Sequence, residues 1–189
     1  MNKLSQFGFI LYQLSRPLSY LRIKHEDKWI YDWIAPAFFT LITLSAFYFL
    51  IPITSLVASE GLISQLTDFI ANLPGFFIAA LAAVATFNKN DIDQLMANSP
   101  KIEILHHGSY LMVEMTRRRF LCVLFSYLTA VSIFLVIGAR IGLASTVAEE
   151  YQVTLSWLGV GCFIFIMWQM ILATILGLYY LGERLHTPT

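Results

Sequence analysis

Charged residues are scarce in this sequence. They make up 13% of its 189 residues, whereas soluble domains carry about 25%. Hydrophobic residues account for 58%, and the mean hydropathy is +0.68. A soluble domain of this length could not hide so much apolar surface from water. The scarcity of charge therefore excludes an ordinary soluble domain and predicts an integral membrane protein.

Residues that carry catalytic or metal chemistry are also few. The two cysteines, Cys122 and Cys162, lie inside apolar runs, which excludes a disulfide framework and a paired-cysteine site. Four scattered histidines are too few for a membrane metal enzyme. The sequence has no glycine-rich phosphate loop, no HExxH motif and no GxSxG motif. We therefore predict a protein that is not an enzyme and that needs no cofactor or metal.

One pair of histidines keeps an enzymatic alternative open. His106 and His107 are adjacent and lie near Glu103 in a polar connection. The favoured interpretation is that they are solvated loop residues. The alternative is an intramembrane enzyme, which requires an activity that disappears when these residues are changed.

Four apolar runs are long enough to cross a hydrocarbon core of about 30 Å. They cover residues 33–57, 69–87, 120–143 and 155–181, with about residue 51 as the alternative end of the first. Because the hydrocarbon offers no water to backbone groups, each run must be a helix. The sequence thus predicts an all-α integral membrane protein with a single membrane domain over residues 1–189.

Basic residues lie on one side of this plan. Eleven of the twelve Lys and Arg residues precede the first run, lie between the second and third, or follow the fourth. The other connections, 58–68 and 144–154, contain none and carry four acidic residues. The positive-inside rule then places both termini and the loop 88–119 in the cytoplasm.

The N-terminal segment, residues 1–28, shows a pattern of its own. Apolar residues recur in steps of three and four, which places them on one helical face: Leu4, Phe7, Leu11, Leu14, Leu18 and Leu21. Pro17 is expected to kink this helix. We predict an amphipathic helix in the inner headgroup layer; a zipper-like contact with a partner helix is the alternative.

Small residues form a regular row in the second run, "LPGFFIAALAAVATF" at 73–87. Ala71, Gly75, Ala79 and Ala83 are four residues apart, and small residues let membrane helices approach closely. We predict that this row packs against another helix, within the subunit or between subunits. Gly138 and Gly142 in the third run have the same spacing and are assigned the same role.

Three polar side chains fall within the spans or at their ends. Gln169 lies near the middle of the fourth run and is expected to make an interhelical hydrogen bond. Arg140 lies near the outer end of the third run, where it can reach the interface. Asn72, two residues before Pro74, lies at the outer end of the second.

The loop 88–119 is the largest polar connection. Its stretch "KIEILHHGSYLMVEM" alternates in the manner of a hairpin that turns at residues 107–109. Charged residues in this loop are candidates for contact with a cytoplasmic protein or with anionic headgroups: Glu103, Glu114, Arg117, Arg118 and Arg119.

Two stretches carry a family resemblance. "LPGFFIAALAAVATFN" in the second run and "TRRRFLCVLFSYL" at the start of the third resemble the membrane subunit of the Kiwa antiphage defence system, the KwaA family. The resemblance implies a bacterial inner-membrane protein that forms a homo-oligomer, with a tetramer favoured. It also implies a soluble cytoplasmic companion, KwaB, which binds DNA. The membrane subunit would sense infection, hold this companion at the membrane and meet DNA only through it.

An oligomeric pore that depolarises the membrane is the alternative function. Polar residues in three of the runs are candidates to line its lumen: Thr40, Thr43, Ser126, Thr129, Ser132, Gln169 and Thr174. Hydroxyl groups within spans commonly bond to their own helix backbone, so this set does not by itself indicate a pore.

Overall fold

The structure, a computed structural model, describes residues 10, 13, 15–23, 28–86, 90–95, 101–106, 109–145 and 148–182. Within these residues, six α-helices follow a 3₁₀ helix (Arg16–Arg22) and a π-helical turn (Ile30–Ile34): α1 (Ala35–Leu50), α2 (Ile53–Leu56), α3 (Leu62–Ala71), α4 (Leu73–Thr86), α5 (Arg117–Ala144) and α6 (Glu149–Gly182). A second 3₁₀ turn (Asn90–Asp93) and strands β1 (Lys101–His106) and β2 (Ser109–Glu114) connect α4 to α5. The described chain is therefore helical apart from one hairpin.

Four helical stretches among the described residues are long and apolar enough to cross a membrane, which confirms the predicted number. We call them spans one to four: Ile30–Leu50, Leu62–Thr86, Arg117–Ala144 and Glu150–Gly182. The connection between spans two and three leaves one end of the bundle, which we call the hairpin end. We call the opposite end, where Arg140 lies, the Arg140 end.

Span one ends near residue 51, the shorter of its two predicted limits. Its helix stops at Leu50, whereas the apolar run continues to residue 57. Ile51 is extended, with φ −136° and ψ 127°, because the ring of Pro52 disfavours helical geometry at the preceding residue. The run then resumes as the short helix α2.

Span two begins earlier than predicted, at Leu62 rather than residue 69. The chain turns into it at Gly61, where a Cβ atom would lie 2.5 Å from the Ser55 carbonyl oxygen, so that only glycine fits. Helix α3 ends at Ala71, with Asn72 as its C-cap, because Pro74 has no N–H to donate to the carbonyl of Ile70. Most of the predicted outer loop 58–68 is thus helical.

Span three is the centre of the bundle. It packs against span two, span four and the N-terminal 3₁₀ helix, whereas span one packs against span four. Leu121, Leu124 and Leu128 on span three are no more than 1% exposed. Thr116 caps the start of this helix by accepting a hydrogen bond from the Arg119 N–H.

The N-terminal segment docks through residues outside its predicted apolar face. Tyr20 and Ile23 are buried, whereas Leu18 and Leu21 are 42% and 46% exposed. The Arg16–Arg22 stretch is 3₁₀ rather than α-helical, and Pro17 lies in its first turn. Leu4, Phe7, Leu11 and Leu14 of the predicted face lie outside the described residues, so the amphipathic helix stays a prediction.

The hairpin lies where the sequence predicted it. Strands β1 and β2 pair antiparallel, with Lys101 opposite Glu114 and His106 opposite Ser109. This register leaves a connection of two residues, 107 and 108, which lie outside the described residues.

Glycine at position 177 sets the distance between spans three and four. A Cβ atom there would lie 2.9 Å from Cδ2 of the buried Leu124, whereas a Cβ at Gly159 on the same helix meets nothing within 4 Å. We expect Gly177→Val to lower the melting temperature in detergent, because the enlarged side chain forces spans three and four apart. Gly159→Val is the matched control, and equal melting temperatures for the two variants would contradict this packing.

Candidate functional site

A buried carboxylate lies at the hairpin end, where span one begins. Asp32 is 3% exposed and accepts a hydrogen bond on Oδ1 from the hydroxyl of Tyr20, at 3.0 Å. Lys28 Nζ forms an ion pair with Asp32 Oδ2. Both carboxylate oxygens therefore have partners, as burial of a charge requires.

The main chain of Asp32 is also bound, for a reason visible in the sequence. Pro36 has no N–H to donate to the carbonyl four residues earlier, which is that of Asp32. Gln169 of span four donates to this carbonyl from Nε2 at 3.1 Å. The Gln169 Oε1 atom in turn accepts from the Tyr127 hydroxyl of span three, at 3.0 Å.

Ring contacts complete the group. The Tyr20 and Tyr127 rings stack with centroids 4.8 Å apart, and Lys28 Nζ lies 4.3 Å from the Tyr20 centroid. Burial, and secondarily the charge of Asp32, raise the pKa of Tyr20 above its usual value, so its hydroxyl remains a donor. We call Tyr20, Lys28, Asp32, Tyr127 and Gln169 the Tyr20 cluster.

Sequence reasoning identified only one member of this cluster in advance, Gln169. Tyr20, Asp32 and Tyr127 were not singled out from the sequence. The one available signal was the spacing of Asp32 and Pro36 at the start of span one, which leaves a carbonyl without its helical donor.

A second polar arrangement, which we call the loop clamp, fixes the base of the hairpin connection. Arg118 forms a bidentate pair with Asp93, with Nε 2.7 Å from Oδ1 and Nη2 2.9 Å from Oδ2. Its Nη1 atom donates to the carbonyls of Val84 and Ala85, at 3.0 and 3.2 Å. The Arg118 side chain thus supplies hydrogen bonds to carbonyls in the last turn of span two, which have no helical donor. It also holds the 3₁₀ turn that contains Asp93.

Backbone contacts and burial reinforce the loop clamp. The Arg117 N–H donates to the Gln94 carbonyl at 3.2 Å, and Leu95 forms a β-bridge with Thr116. Ile92 and Met115 are 2% and 0% exposed. The Arg118 hydrogen bonds hold the pKa of Asp93 below its usual value, so this carboxylate stays ionised at neutral pH.

The predicted contact residues of this loop therefore differ in their surroundings. Arg118 is committed to the loop clamp, and Arg117 and Arg119 lie beside it with partly exposed side chains. Glu114 is exposed at the end of β2, and Glu103 lies on β1 opposite Met112.

At the Arg140 end, Arg140 makes an ion pair with Asp68 of span two. Its Nη1 also lies 3.4 Å from the Ser64 hydroxyl oxygen. Asn72 donates from Nδ2 to the Asp68 carbonyl at 2.9 Å. Arg140 therefore joins spans two and three, whereas the Asn72 bond lies within span two.

The small-residue row faces away from the rest of the chain. Ala71, Gly75, Ala79 and Ala83 are exposed, and span two instead buries Ile70, Phe77 and Val84. Cβ atoms built on Gly75, Gly138 and Gly142 meet nothing within 4 Å. Packing by this row within the subunit is not seen among the described residues, and packing between subunits stays a prediction.

Four of the seven residues suggested for a pore lumen bond to their own helices, whereas the buried Oγ1 atom of Thr40 has no hydrogen-bond partner among the described residues. The hydroxyls of Thr43, Thr129, Ser132 and Thr174 each donate to a carbonyl three or four residues earlier. Thr43 also accepts from Trp168 Nε1 at 3.0 Å. These hydroxyls are satisfied without a water-filled channel.

No family model, curated protein or solved structure matches this chain. Within the described ranges, no group of three or more His, Cys, Asp or Glu side chains is placed to hold a metal ion. His107 lies outside those ranges, and His106 is described only as the last residue of β1.

The hydrogen bond between Tyr127 and Gln169 should show energetic coupling. In a double-mutant cycle of Tyr127→Phe and Gln169→Leu, we expect a coupling free energy of about 0.6 kcal/mol, and at most about 1.7 kcal/mol. Unfolding titrations in mixed micelles give the four free energies of unfolding.

Thr174→Val, on the same span, supplies the matched control. Its hydroxyl bonds only Met170 of its own helix among the described residues, so its effect should add to that of Tyr127→Phe. Additive effects of Gln169→Leu and Tyr127→Phe would show that the buried bond contributes nothing to the packing of spans three and four.

Proposed function

We propose that this chain is a non-enzymatic sensor and anchor in the bacterial inner membrane. In this proposal the hairpin end faces the cytoplasm, copies of the chain assemble in the membrane, and the hairpin connection holds a soluble cytoplasmic protein there. The order of the hairpin base is the observation that supports docking at this place.

Charge supports the proposed orientation. Lys28, Arg117, Arg118 and Arg119 lie at the hairpin end, where loops of a cytoplasmic face carry their excess of basic residues. The connections at the Arg140 end carry acidic residues and no Lys or Arg.

The loop clamp supports docking because it gives the hairpin a fixed base. A surface that is already ordered pays less conformational entropy when a partner binds. The exposed Glu114 and the partly exposed Arg117 and Arg119 offer charges of both signs next to that base, which suits a polar protein interface more than bare headgroup binding.

The resemblance to the KwaA family supports the more specific form of the proposal. In that form the partner is a KwaB-like protein that binds DNA, and the complex acts in antiphage defence. The outward row at Ala71, Gly75, Ala79 and Ala83 then serves contacts between copies, since small residues allow close helix approach.

Loss of the loop clamp should weaken companion binding. We expect Arg118→Ala and Asp93→Ala each to lower the recovery of a stoichiometric soluble companion several-fold, because the hairpin must then be ordered during binding. The tagged protein is extracted from its native host in mild detergent, treated with nuclease, and its companions are quantified by mass spectrometry.

The ion pair at the opposite end supplies the control. Arg140→Ala and Asp68→Ala remove a comparable surface pair, and recovery of the companion should not change. Unchanged recovery from loop-clamp variants that insert and assemble normally would contradict docking at the hairpin. A clean oligomer without any companion would instead favour the pore, which ion flux through liposomes measures directly.

Orientation is tested separately by labelling. In a chain with Cys122 and Cys162 replaced by Ala, we expect a membrane-impermeant maleimide to label Glu60→Cys in spheroplasts. Glu114→Cys should be labelled only after lysis, since both positions are exposed but lie at opposite ends of the bundle. The reverse pattern would invert the proposed topology.

A further inference from the structure

We infer that the N-terminal 3₁₀ helix is a latch, held closed by the hydrogen bond from Tyr20 to Asp32 and coupled to span four through Gln169. A change in the packing of spans one, three and four would then change how firmly the N-terminal segment is held. It does not depend on the proposed docking at the hairpin, because it involves other residues.

The 3₁₀ helix is held by its contacts with the bundle. A helix of seven residues is not stable alone, so its order depends on what it touches. Tyr20 provides its buried anchor, with a hydroxyl on Asp32 at 3.0 Å and a ring stacked on Tyr127 at 4.8 Å. Leu18 and Leu21 point outward and do not secure it to the bundle.

Undocking of Tyr20 would remove contacts from both Asp32 and Tyr127. Asp32 would lose a hydrogen bond at a buried carboxylate oxygen, and Tyr127 would lose its stacked ring. Water would then have to replace both contacts. The docked arrangement satisfies these groups together, so the two arrangements differ discretely rather than by a gradual shift.

Gln169 couples span four to the residues that hold Tyr20. Gln169 makes no hydrogen bond to the described residues of the 3₁₀ helix; it bonds the Asp32 carbonyl and the Tyr127 hydroxyl, at 3.1 and 3.0 Å. These two residues supply the hydrogen bond and the stacked ring that hold Tyr20. A displacement of span four would therefore alter both contacts of the latch through a single side chain.

The local backbone agrees with a movable joint rather than a rigid one. Span one begins with the π-helical turn Ile30–Ile34, a geometry that is rare and concentrated at functional positions. A buried ion pair is also a poor source of stability compared with apolar packing. Lys28, Asp32 and the π turn are better explained as parts of a switchable contact.

Hydrogen exchange of the full chain in nanodiscs, followed by mass spectrometry, tests the latch. We expect Tyr20→Phe to speed exchange of residues 16–23 by about tenfold, because a hydrogen bond to a charged group is lost. Tyr31→Phe, at a hydroxyl that bonds no described residue, should leave that exchange unchanged.

Coupling is tested from the other side of the bundle. We expect Gln169→Leu on span four to speed exchange of residues 16–23 as well, whereas Thr174→Val on the same span should not. If neither Tyr20→Phe nor Gln169→Leu speeds exchange of residues 16–23, the latch is overturned. If only Tyr20→Phe speeds that exchange, the coupling of the latch to span four is overturned. An equal rise in the core of span three would show general loosening and would also overturn it.

Discussion

Polar groups next to a hydrocarbon layer must find their partners inside the protein, and this constraint shapes both ends of the bundle. No water reaches backbone carbonyls there, so a proline in a span leaves a carbonyl without its helical donor, and another side chain must donate to it. Pro36 leaves the Asp32 carbonyl without this donor, and Gln169 of span four donates to it instead. The choice of an amide at position 169 is thus linked to a proline 133 positions earlier.

The same constraint governs the arginines. Arg118 donates to the last carbonyls of span two as well as to Asp93, and Arg140 pairs with Asp68 of that span. Arg118 and Arg140 on span three therefore meet span two at opposite ends of the bundle. Both pairs are exposed, so we attribute alignment of the two spans to them rather than a large share of the stability.

Length and apolar content were enough to predict the number of spans, and alternation was enough to predict the hairpin. The ends of the helices were harder to predict, because they depend on local backbone chemistry at Gly61, Pro52 and Pro74 that hydropathy does not measure. The packing face of span two was missed for a different reason. Its apolar residues surround the helix on all sides, so composition could not distinguish Phe77, which is buried, from Phe76, which is exposed.

The Tyr20 cluster and the loop clamp meet in the first turns of span three. Arg118 and Tyr127 are nine residues apart on one helix, a rise of about 13.5 Å. One holds the hairpin base, and the other stacks on the N-terminal anchor Tyr20. A tilt of span three would move the hairpin and the N-terminal segment together, since both are fixed to the same rigid element. In the proposed orientation, this joins the two cytoplasmic segments to a change within the membrane without requiring a pore or a catalytic step.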